Sequence, residues 1–140
     1  MSDRKGSGLL VVWCEVPSPL EDEFNRWYNE EHLPERLTVP GILSAARYEA
    51  VSSGPKHLAI YELESSKVME SQDYLRLKNS PTEWSKKMSP DEIGTVNIRN
   101  EYDMLYPLKP TREITSSSMA PALQIGRMDI PTEIEMEWND

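Results

Sequence analysis

Cysteine and histidine are scarce in this chain, and their scarcity excludes several kinds of site. The single thiol, Cys14, rules out an intrachain disulfide framework, and its place in an apolar run predicts a buried residue in a reducing compartment. The two histidines, His32 and His57, show no spacing suited to zinc. A Gly-rich phosphate loop and a Gly-x-Ser-x-Gly elbow are also missing. The sequence therefore predicts neither a metal ion nor a cofactor.

Basic residues are too few and too scattered to bind along the backbone of a polyanion. Lys and Arg number 15 against 24 Asp and Glu, for a formal net charge of −9. This balance disfavours a nucleic acid or an anionic lipid surface as a partner. No apolar run reaches the roughly 18 residues of a membrane-spanning helix, and residues 1–8 lack the apolar centre of a signal peptide. We expect a cytoplasmic protein with no nucleic-acid or membrane partner, and disorder over residues 1–8.

The spacing of apolar residues along the sequence differs between the first predicted strand and the first predicted helix. Leu9 to Val16 is a short apolar run with small apolar residues at its even positions, which predicts a strand with one dry face. Ser18-Pro19-Leu20-Glu21 has the pattern of a capping box, so a helix should begin there. We expect this helix to run to about Glu31, before Pro34 disturbs it. Its apolar stripe consists of Leu20, Phe24, Trp27 and Tyr28.

A hairpin and two short helices are predicted next. After the Pro40-Gly41 turn, Ile42 to Val51 and Leu58 to Leu63 have strand patterns separated by a short turn, which favours a hairpin. Lys67 to Met88 has a helical but interrupted pattern. We expect two short helices there, the second restarted by a capping box at Ser80-Pro81-Thr82-Glu83.

The last strand completes the order of elements. Thr95 to Tyr106 alternates, with apolar residues such as Ile98 on one face and charged residues such as Arg99 on the other. The order β-α-β-β-α-β predicts an α+β, ferredoxin-like unit over residues 9–110, with an antiparallel sheet and helices on one face only. The other face would leave a larger apolar patch than monomers tolerate, so we expect a homodimer.

The C-terminal segment has the pattern of a second copy that stops soon after it begins. Residues 111–121 are rich in Pro, Ser and Thr with little periodicity, as in a linker. Met128 to Asn139 then aligns without a gap on Cys14 to Asn25. We expect residues 122–140 to form the strand and the helix start of a truncated repeat. The alternative is a tail with its own strand and capped helical turn.

A motif at the end of the first helix resembles a known superfamily. Trp27-Tyr28-Asn29-Glu30-Glu31-His32-Leu33-Pro34-Glu35-Arg36-Leu37 is followed by Val39-Pro40-Gly41-Ile42 and then by Ala46-Arg47-Tyr48. An aromatic pair, a histidine and a Pro-Gly turn thus lead into a strand with an arginine. In this combination, over roughly residues 9–110, the chain resembles the dimeric α/β-barrel superfamily, nearest the EthD-like proteins.

The resemblance implies a fold and a cavity but no single reaction. It implies two sheets packed face to face, with a small-molecule cavity on the bare sheet face and around the end of the first helix. Members of the superfamily include monooxygenases, isomerases, dehydratases and haem-degrading enzymes, so the fold does not choose among them. The EthD-like proteins imply cofactor-free proton-transfer chemistry or an accessory role in degradation.

His32 is the first candidate for a catalytic residue. It follows two acids at the end of the predicted helix, where a carboxylate and the helix C-terminus would both favour the imidazolium. Such a histidine suits a general acid or base near neutral pH. The alternative is a structural histidine that bonds a loop carbonyl and holds the Leu33-Pro34 turn. His57, in the hairpin turn, is expected to be solvated.

Arg47 is the second candidate for a catalytic residue. From mid-strand it could bring a fixed cation to the cavity and hold a carboxylate or enolate oxygen. The alternative is an ion pair with Glu49, Glu62 or another neighbour across the hairpin. The face that Arg47 occupies stays open, because a shift of one residue in register reverses every side chain of a strand.

Four further residues are candidates for substrate binding. Aromatic residues in such positions more often serve packing, and packing is the favoured role of Tyr28. They are Trp13, Tyr28, Tyr61 and Arg99. The leading hypothesis is a cofactor-free lyase, isomerase or dehydratase acting on a small apolar organic acid or aromatic compound, with His32 moving a proton and Arg47 steadying negative charge. The alternatives are a non-catalytic binding or accessory protein and a cofactor-independent monooxygenase, in which Trp13 and Tyr61 would matter more.

Overall fold

Four antiparallel strands form one sheet. The computed structural model describes residues 6–105. The strands are β1 (Gly8–Glu15), β2 (Ile42–Glu49), β3 (His57–Leu63) and β4 (Val96–Asp103). Their spatial order is β2-β3-β1-β4, and every neighbouring pair is antiparallel. The predicted hairpin, the α+β class and the ferredoxin-like order of elements are confirmed.

The helices occupy the connections β1 to β2 and β3 to β4. The first connection holds a 3-10 turn (Ser18–Leu20), α1 (Glu21–Trp27), a π-helical turn (Tyr28–His32) and α2 (Leu33–Arg36). The second holds a 3-10 helix (Ser66–Glu70), α3 (Gln72–Asn79), α4 (Glu83–Met88) and α5 (Pro90–Ile93). The predicted break between two short helices is confirmed by α3 and α4. Within residues 6–105, no helix has the length and apolar character needed to cross a membrane.

Neither predicted capping box forms at its expected residue. Ser18 lies inside the 3-10 turn, so its backbone is not extended as an N-cap requires, and no side chain caps that turn. Helix α4 begins at Glu83, and its N-cap is Thr82 rather than Ser80. The Thr82 hydroxyl oxygen accepts a hydrogen bond from the Ser85 N–H at 3.0 Å. The helix starts were therefore predicted to within a few residues, but the capping residues were wrong.

The first helix continues through consecutive helical turns to Arg36, although the sequence predicted an end at about Glu31. The Leu33 N–H bonds back five residues to the Tyr28 carbonyl, as in a π-helix. We attribute the tolerance of Pro34 to this wider turn, which relieves the clash between a proline ring and the preceding turn. Pro34 then lies in the first turn of α2, and α2 runs to Arg36.

The main core lies between the helices and one face of the sheet. Phe24 and Trp27 of α1 are fully buried there. They pack with alternate strand residues, namely Leu10, Val12, Cys14, Ala59, Tyr61 and Leu63. Cys14 is buried as predicted, and this burial raises the pKa of its thiol to about 11.

The opposite face of the sheet carries the other strand residues. Val11 pairs with Ile60, and Trp13 pairs with Ile98. None of these four residues belongs to the core beneath the helices. Because side chains alternate along a strand, Arg99 faces the helices whereas Ile98 faces away from them.

Residues 6–8 are ordered, although the sequence placed them in a disordered N-terminus. The Ser7 N–H donates to the Glu64 carbonyl at 3.0 Å, and the Met104 N–H donates to the Ser7 carbonyl at 2.7 Å. These two bonds hold the chain between the end of β3 and the end of β4. The predicted linker (111–121) and repeat (122–140) lie outside the described residues.

Candidate active site

A cavity of about 430 Å³ lies between the sheet and the helices. The sheet contributes Leu10 and Tyr61 to its lining, and the first helix contributes Trp27, Tyr28 and His32. Helices α3, α4 and α5 supply further lining residues. The volume is suited to a small organic molecule, and the wall near the first helix is aromatic.

The cavity lies on the helix-covered face, whereas the resemblance implied the bare face of the sheet. Among the described residues only the helix-covered face has a second layer, and two layers are needed to enclose a space. The expectation that the cavity reaches the end of the first helix agrees with this position, because His32 and Arg36 both line it.

His32 lies among aromatic rings on the cavity wall. Its ring stacks on Trp27 with centroids 4.5 Å apart and meets the Tyr28 ring edge-on at 5.0 Å. Its Nδ1 is buried and has no hydrogen-bond partner within residues 6–105. Burial, and then the positive charge of Arg36, lower the pKa of His32 to about 3. The expectation of an imidazolium was wrong, because aromatic rings and a cation surround the ring instead of a carboxylate.

Glu31 is bonded to α4 and to Trp27 rather than to the neighbouring His32. Its Oε2 accepts hydrogen bonds from Thr82 Oγ1 at 2.6 Å, from Trp27 Nε1 at 3.2 Å and from Ser85 Oγ at 3.2 Å. The Trp27 N–H also donates to Ser85 Oγ at 3.1 Å. This network joins the π-helical turn to α4 and fixes the indole on which His32 stacks.

Tyr28 and Tyr61 share a buried hydrogen bond beside the cavity. Their hydroxyl oxygens lie 3.2 Å apart, and both residues line the cavity. Burial raises the pKa of Tyr28 to about 12 and the pKa of Tyr61 well above its ordinary value. Both phenols are therefore protonated at neutral pH. Tyr28 also packs in the core, so the two roles considered for it coexist.

Arg99 reaches the cavity from β4 and holds Tyr74 of α3. Its Nη2 donates to the Tyr74 hydroxyl at 2.7 Å, and its Nη1 donates to Glu101 Oε2 at 2.8 Å. Burial alone would lower the pKa of Arg99, but Tyr74 and Glu101 together hold it above its ordinary value. The Arg36 guanidinium lies 5.7 Å from the centre of the Tyr74 ring. Sequence analysis did not single out Tyr74, since nothing in its local pattern reveals a contact with β4.

Arg47 faces the helices but does not line the cavity. Its guanidinium donates to Asn29 Oδ1 at 2.9 Å and to Asn25 Oδ1 at 2.8 Å. Its Nη2 also lies 3.2 Å from His57 Nδ1. The guanidinium carbon lies 4.6 Å from the centre of the Tyr28 ring. These contacts place Arg47 as a link between β2 and the first helix, behind the cavity wall.

His57 is buried, although the sequence suggested a solvated turn residue. It begins β3 and is only 5% exposed, because its side chain falls on the helix-covered face. Its Nε2 lies 2.9 Å from Glu21 Oε2. Lys56 Nζ also reaches that carboxylate, at 2.8 Å, and its hydrogen bond is the largest cause of a lowered pKa at Glu21. His57 thus connects Glu21 of α1 with Arg47 of β2.

The structure brings four of the six predicted site residues to one cavity. They are His32, Tyr28, Tyr61 and Arg99. Arg47 lies behind the wall, and Trp13 lies on the opposite face of the sheet, because its strand neighbours Val12 and Cys14 point towards the helices. Within residues 6–105, no group of three or more His, Cys, Asp or Glu side chains is placed to hold a metal ion.

Comparisons with known proteins identify the fold. No family model and no curated protein sequence matches this chain. An EthD family protein from Bacillus halodurans C-125 matches with a TM-score of 0.51 and 12% identity, covering 69% of this chain and 97% of its own. HapK from Hahella chejuensis matches with a TM-score of 0.50 and 9% identity, covering 74% of this chain and 98% of its own. At the level of the fold, the resemblance to the dimeric α/β-barrel proteins is confirmed.

Proposed function

We propose that the cavity binds a small, largely apolar or aromatic organic compound and that His32 exchanges a proton with it. One observation carries the proposal: His32 lines a cavity of about 430 Å³, and its burial keeps the imidazole neutral. Aliphatic and aromatic side chains would hold the body of the ligand, and the imidazole would act on it. The class of reaction is that of a cofactor-free isomerase, lyase or dehydratase.

The neutral state of His32 suits it to act first as a base. It can take a proton from a carbon next to a carbonyl or carboxylate, which leaves an enolate. Return of the proton to another carbon is an isomerisation, and departure of a leaving group is a lyase reaction. With a pKa of about 3, His32 is by itself a weak base. A negative charge placed beside the ring would raise that pKa, because it stabilises the imidazolium.

A binding protein without chemistry is the second candidate function. The observation that favours it is the same low pKa of His32, since an imidazole that resists protonation is a poor proton acceptor. The third hypothesis, a cofactor-independent monooxygenase, has less support. It gave Trp13 and Tyr61 more weight than His32, but these two residues lie on opposite faces of the sheet, and only Tyr61 lines the cavity.

Proton exchange with solvent separates catalysis from binding. We expect the protein in D₂O to accelerate loss of the α-proton signal for at least one member of a panel of small aromatic keto acids and ketones, followed by NMR. His32→Ala should slow this exchange by a factor of about 100 or more. It should weaken binding only a few-fold, as measured by quenching of tryptophan fluorescence.

Trp13→Phe is the matched control, because Trp13 lies on the other face of the sheet. This variant should keep both exchange and binding. Exchange that survives in His32→Ala would contradict the proposed role of His32. Saturable binding with no exchange for any compound would favour the binding protein.

We also propose that the chain forms a homodimer through the sheet face that faces away from the helices. At the centre of that face Val11 and Ile60 are already buried in the single chain. Partly exposed apolar side chains lie around them on three strands, namely Trp13, Leu58 and Ile98. Tyr102 on the same face is 38% exposed. Pairing two such faces would remove apolar surface from water.

A further inference from the structure

We propose that Tyr74, held by Arg99, donates a hydrogen bond to an anionic group of the ligand. The ligand would then be a small monoanion with an apolar or aromatic body and one carboxylate or enolate oxygen at Tyr74. This inference rests on the proposed function, namely that the cavity holds a small organic compound.

The hydroxyl of Tyr74 is free to donate. The residue lines the cavity and is only 5% exposed. Its oxygen accepts the Arg99 hydrogen bond at 2.7 Å. No hydrogen bond within residues 6–105 uses the proton of that hydroxyl. A phenol that accepts a bond from a cation becomes a stronger donor, and its best acceptor is an anion.

Arg99 is itself held in place, so it acts as a positioning residue. Its Nη1 donates to Glu101, and its Nη2 also lies 3.5 Å from Met69 Sδ. These contacts fix the direction from which Arg99 approaches the Tyr74 hydroxyl. The free hydrogen of the phenol is then restricted to the remaining directions around its oxygen.

The charged side chains that line the cavity are mostly cations, although the chain carries a net charge of −9. The lining contains the cations Arg36, Lys78, Lys86 and Arg99 and the anions Asp91 and Glu92. Three of these cations pair with carboxylates outside the lining: Arg36 with Glu35, Lys86 with Glu83 and Arg99 with Glu101. Although the whole chain is acidic, most of the charged side chains that line the cavity are positive. A positively charged lining favours an anionic ligand.

Arg36 connects the anion position with His32. Its guanidinium carbon lies 5.7 Å from the centre of the Tyr74 ring, and its charge adds to the effect of burial in lowering the pKa of His32. A carboxylate bound at Tyr74 would offset that charge. The pKa of His32 would then rise towards its ordinary value, so the anionic ligand would make His32 a better base.

The experiment compares phenylacetate with phenylacetamide, which have nearly the same shape but differ in charge. Calorimetry would give both dissociation constants for the wild type, Tyr74→Phe and the control Tyr102→Phe on the opposite face. We expect the wild type to prefer the acid by about tenfold or more. Tyr74→Phe should lose most of this preference while its affinity for the amide stays within about twofold. Tyr102→Phe should keep the preference.

A second variant and an NMR measurement distinguish the proposed role of Tyr74 from a purely structural effect of its replacement. Arg99→Lys keeps the charge but changes the geometry of the bond to Tyr74, so it should also reduce the preference. NMR should show that phenylacetate, and not phenylacetamide, raises the pKa of His32 in the wild type. This rise should be smaller in both variants.

Two outcomes would overturn the proposal while leaving the binding cavity intact: equal affinity of the wild type for acid and amide, or a preference that persists unchanged in Tyr74→Phe and Arg99→Lys. In either case, NMR shifts at Trp27 and His32 would still demonstrate binding in the cavity. If neither probe shifts these two residues at millimolar concentration, the proposed function fails as well.

Discussion

The charge state of His32 is set by the side chains that surround its ring. Trp27 and Tyr28 keep water away from the imidazole, and Arg36 adds a charge of the same sign as a proton would. Both effects oppose protonation. The histidine that lines the cavity is therefore a neutral group, and it becomes a useful base only if the ligand changes its electrostatic surroundings.

We predict that the fold loses stability through His32 as the pH falls. The ordinary pKa of 6.5 falls to about 3 in the folded chain, so between these values the unfolded chain binds more protons. The stability from a neutral His32 is complete above about pH 6.5 and is lost towards pH 3, by at most about 1.4 kcal/mol per pH unit. Urea denaturation from about pH 4 to pH 8 should show a steeper loss for the wild type than for His32→Asn. Parallel curves would contradict this prediction.

His57 and Arg47 have structural roles that their positions in the sequence did not reveal. His57 contacts Glu21 through one ring nitrogen and Arg47 through the other. Arg47 in turn holds Asn25 and Asn29 of the first helix. A chain of polar contacts therefore ties the hairpin to the helix whose end carries His32.

The π-helical turn distributes its side chains to different partners. Tyr28 bonds Tyr61, Asn29 bonds Arg47, and Glu31 bonds the start of α4. His32 lies on the cavity wall. The extra residue in this turn rotates the side chains of α2 about the helix axis relative to those of α1. Such turns are often found at functional sites. Each partner lies on a different element, so the turn is held in its unusual geometry by tertiary contacts.

Helix α4 provides a direct test of which residue caps it. Thr82→Ala removes both the bond to the Ser85 N–H and the donor to Glu31, and we expect it to cost about 1 to 2 kcal/mol of unfolding free energy. The matched control is Ser80→Ala, two residues earlier, which should change stability by less than about 0.5 kcal/mol.

Chemical denaturation of the two variants measures these costs, and the NMR signal of the Trp27 indole N–H should move only in Thr82→Ala. A larger loss in Ser80→Ala than in Thr82→Ala would mean that Ser80 is the true cap.

At the level of the whole molecule, the sheet lies between the candidate ligand site and the proposed dimer surface. The cavity lies on one face, beneath the helices, and the proposed dimer surface lies on the other. A ligand can therefore occupy the cavity while the two sheets pair. We infer that association and ligand binding can be changed independently by substitutions on opposite faces.

We predict a homodimer that a charge on the outer sheet face will dissociate. Ile98→Glu buries a carboxylate in the proposed interface, which is costly, so sedimentation equilibrium at micromolar concentration should find a monomer. Leu75→Glu is the control, because Leu75 is an exposed apolar residue of α3, away from that face. It should leave the dimer intact. A wild-type protein that is strictly monomeric at this concentration would refute the prediction.

The order and type of the elements could be predicted from local patterns. Alternation along residues 9–16 and 95–106 marks strands, and the spacing of Phe24 and Tyr28 marks a helix. These patterns repeat over a few residues and need no partner elsewhere in the chain. For the same reason the buried position of Cys14 was visible in the sequence.

The sequence by itself therefore determined the α+β order of elements, and it pointed to four residues that line the cavity. Only the tertiary structure decided the face of each strand, the neutral state of His32, the burial of His57 and the place of Tyr74 beside Arg99. These properties depend on contacts between segments far apart in the chain. Burial and the distance between charges set a pKa, and register sets which side chains meet, so neither can be obtained from a local pattern.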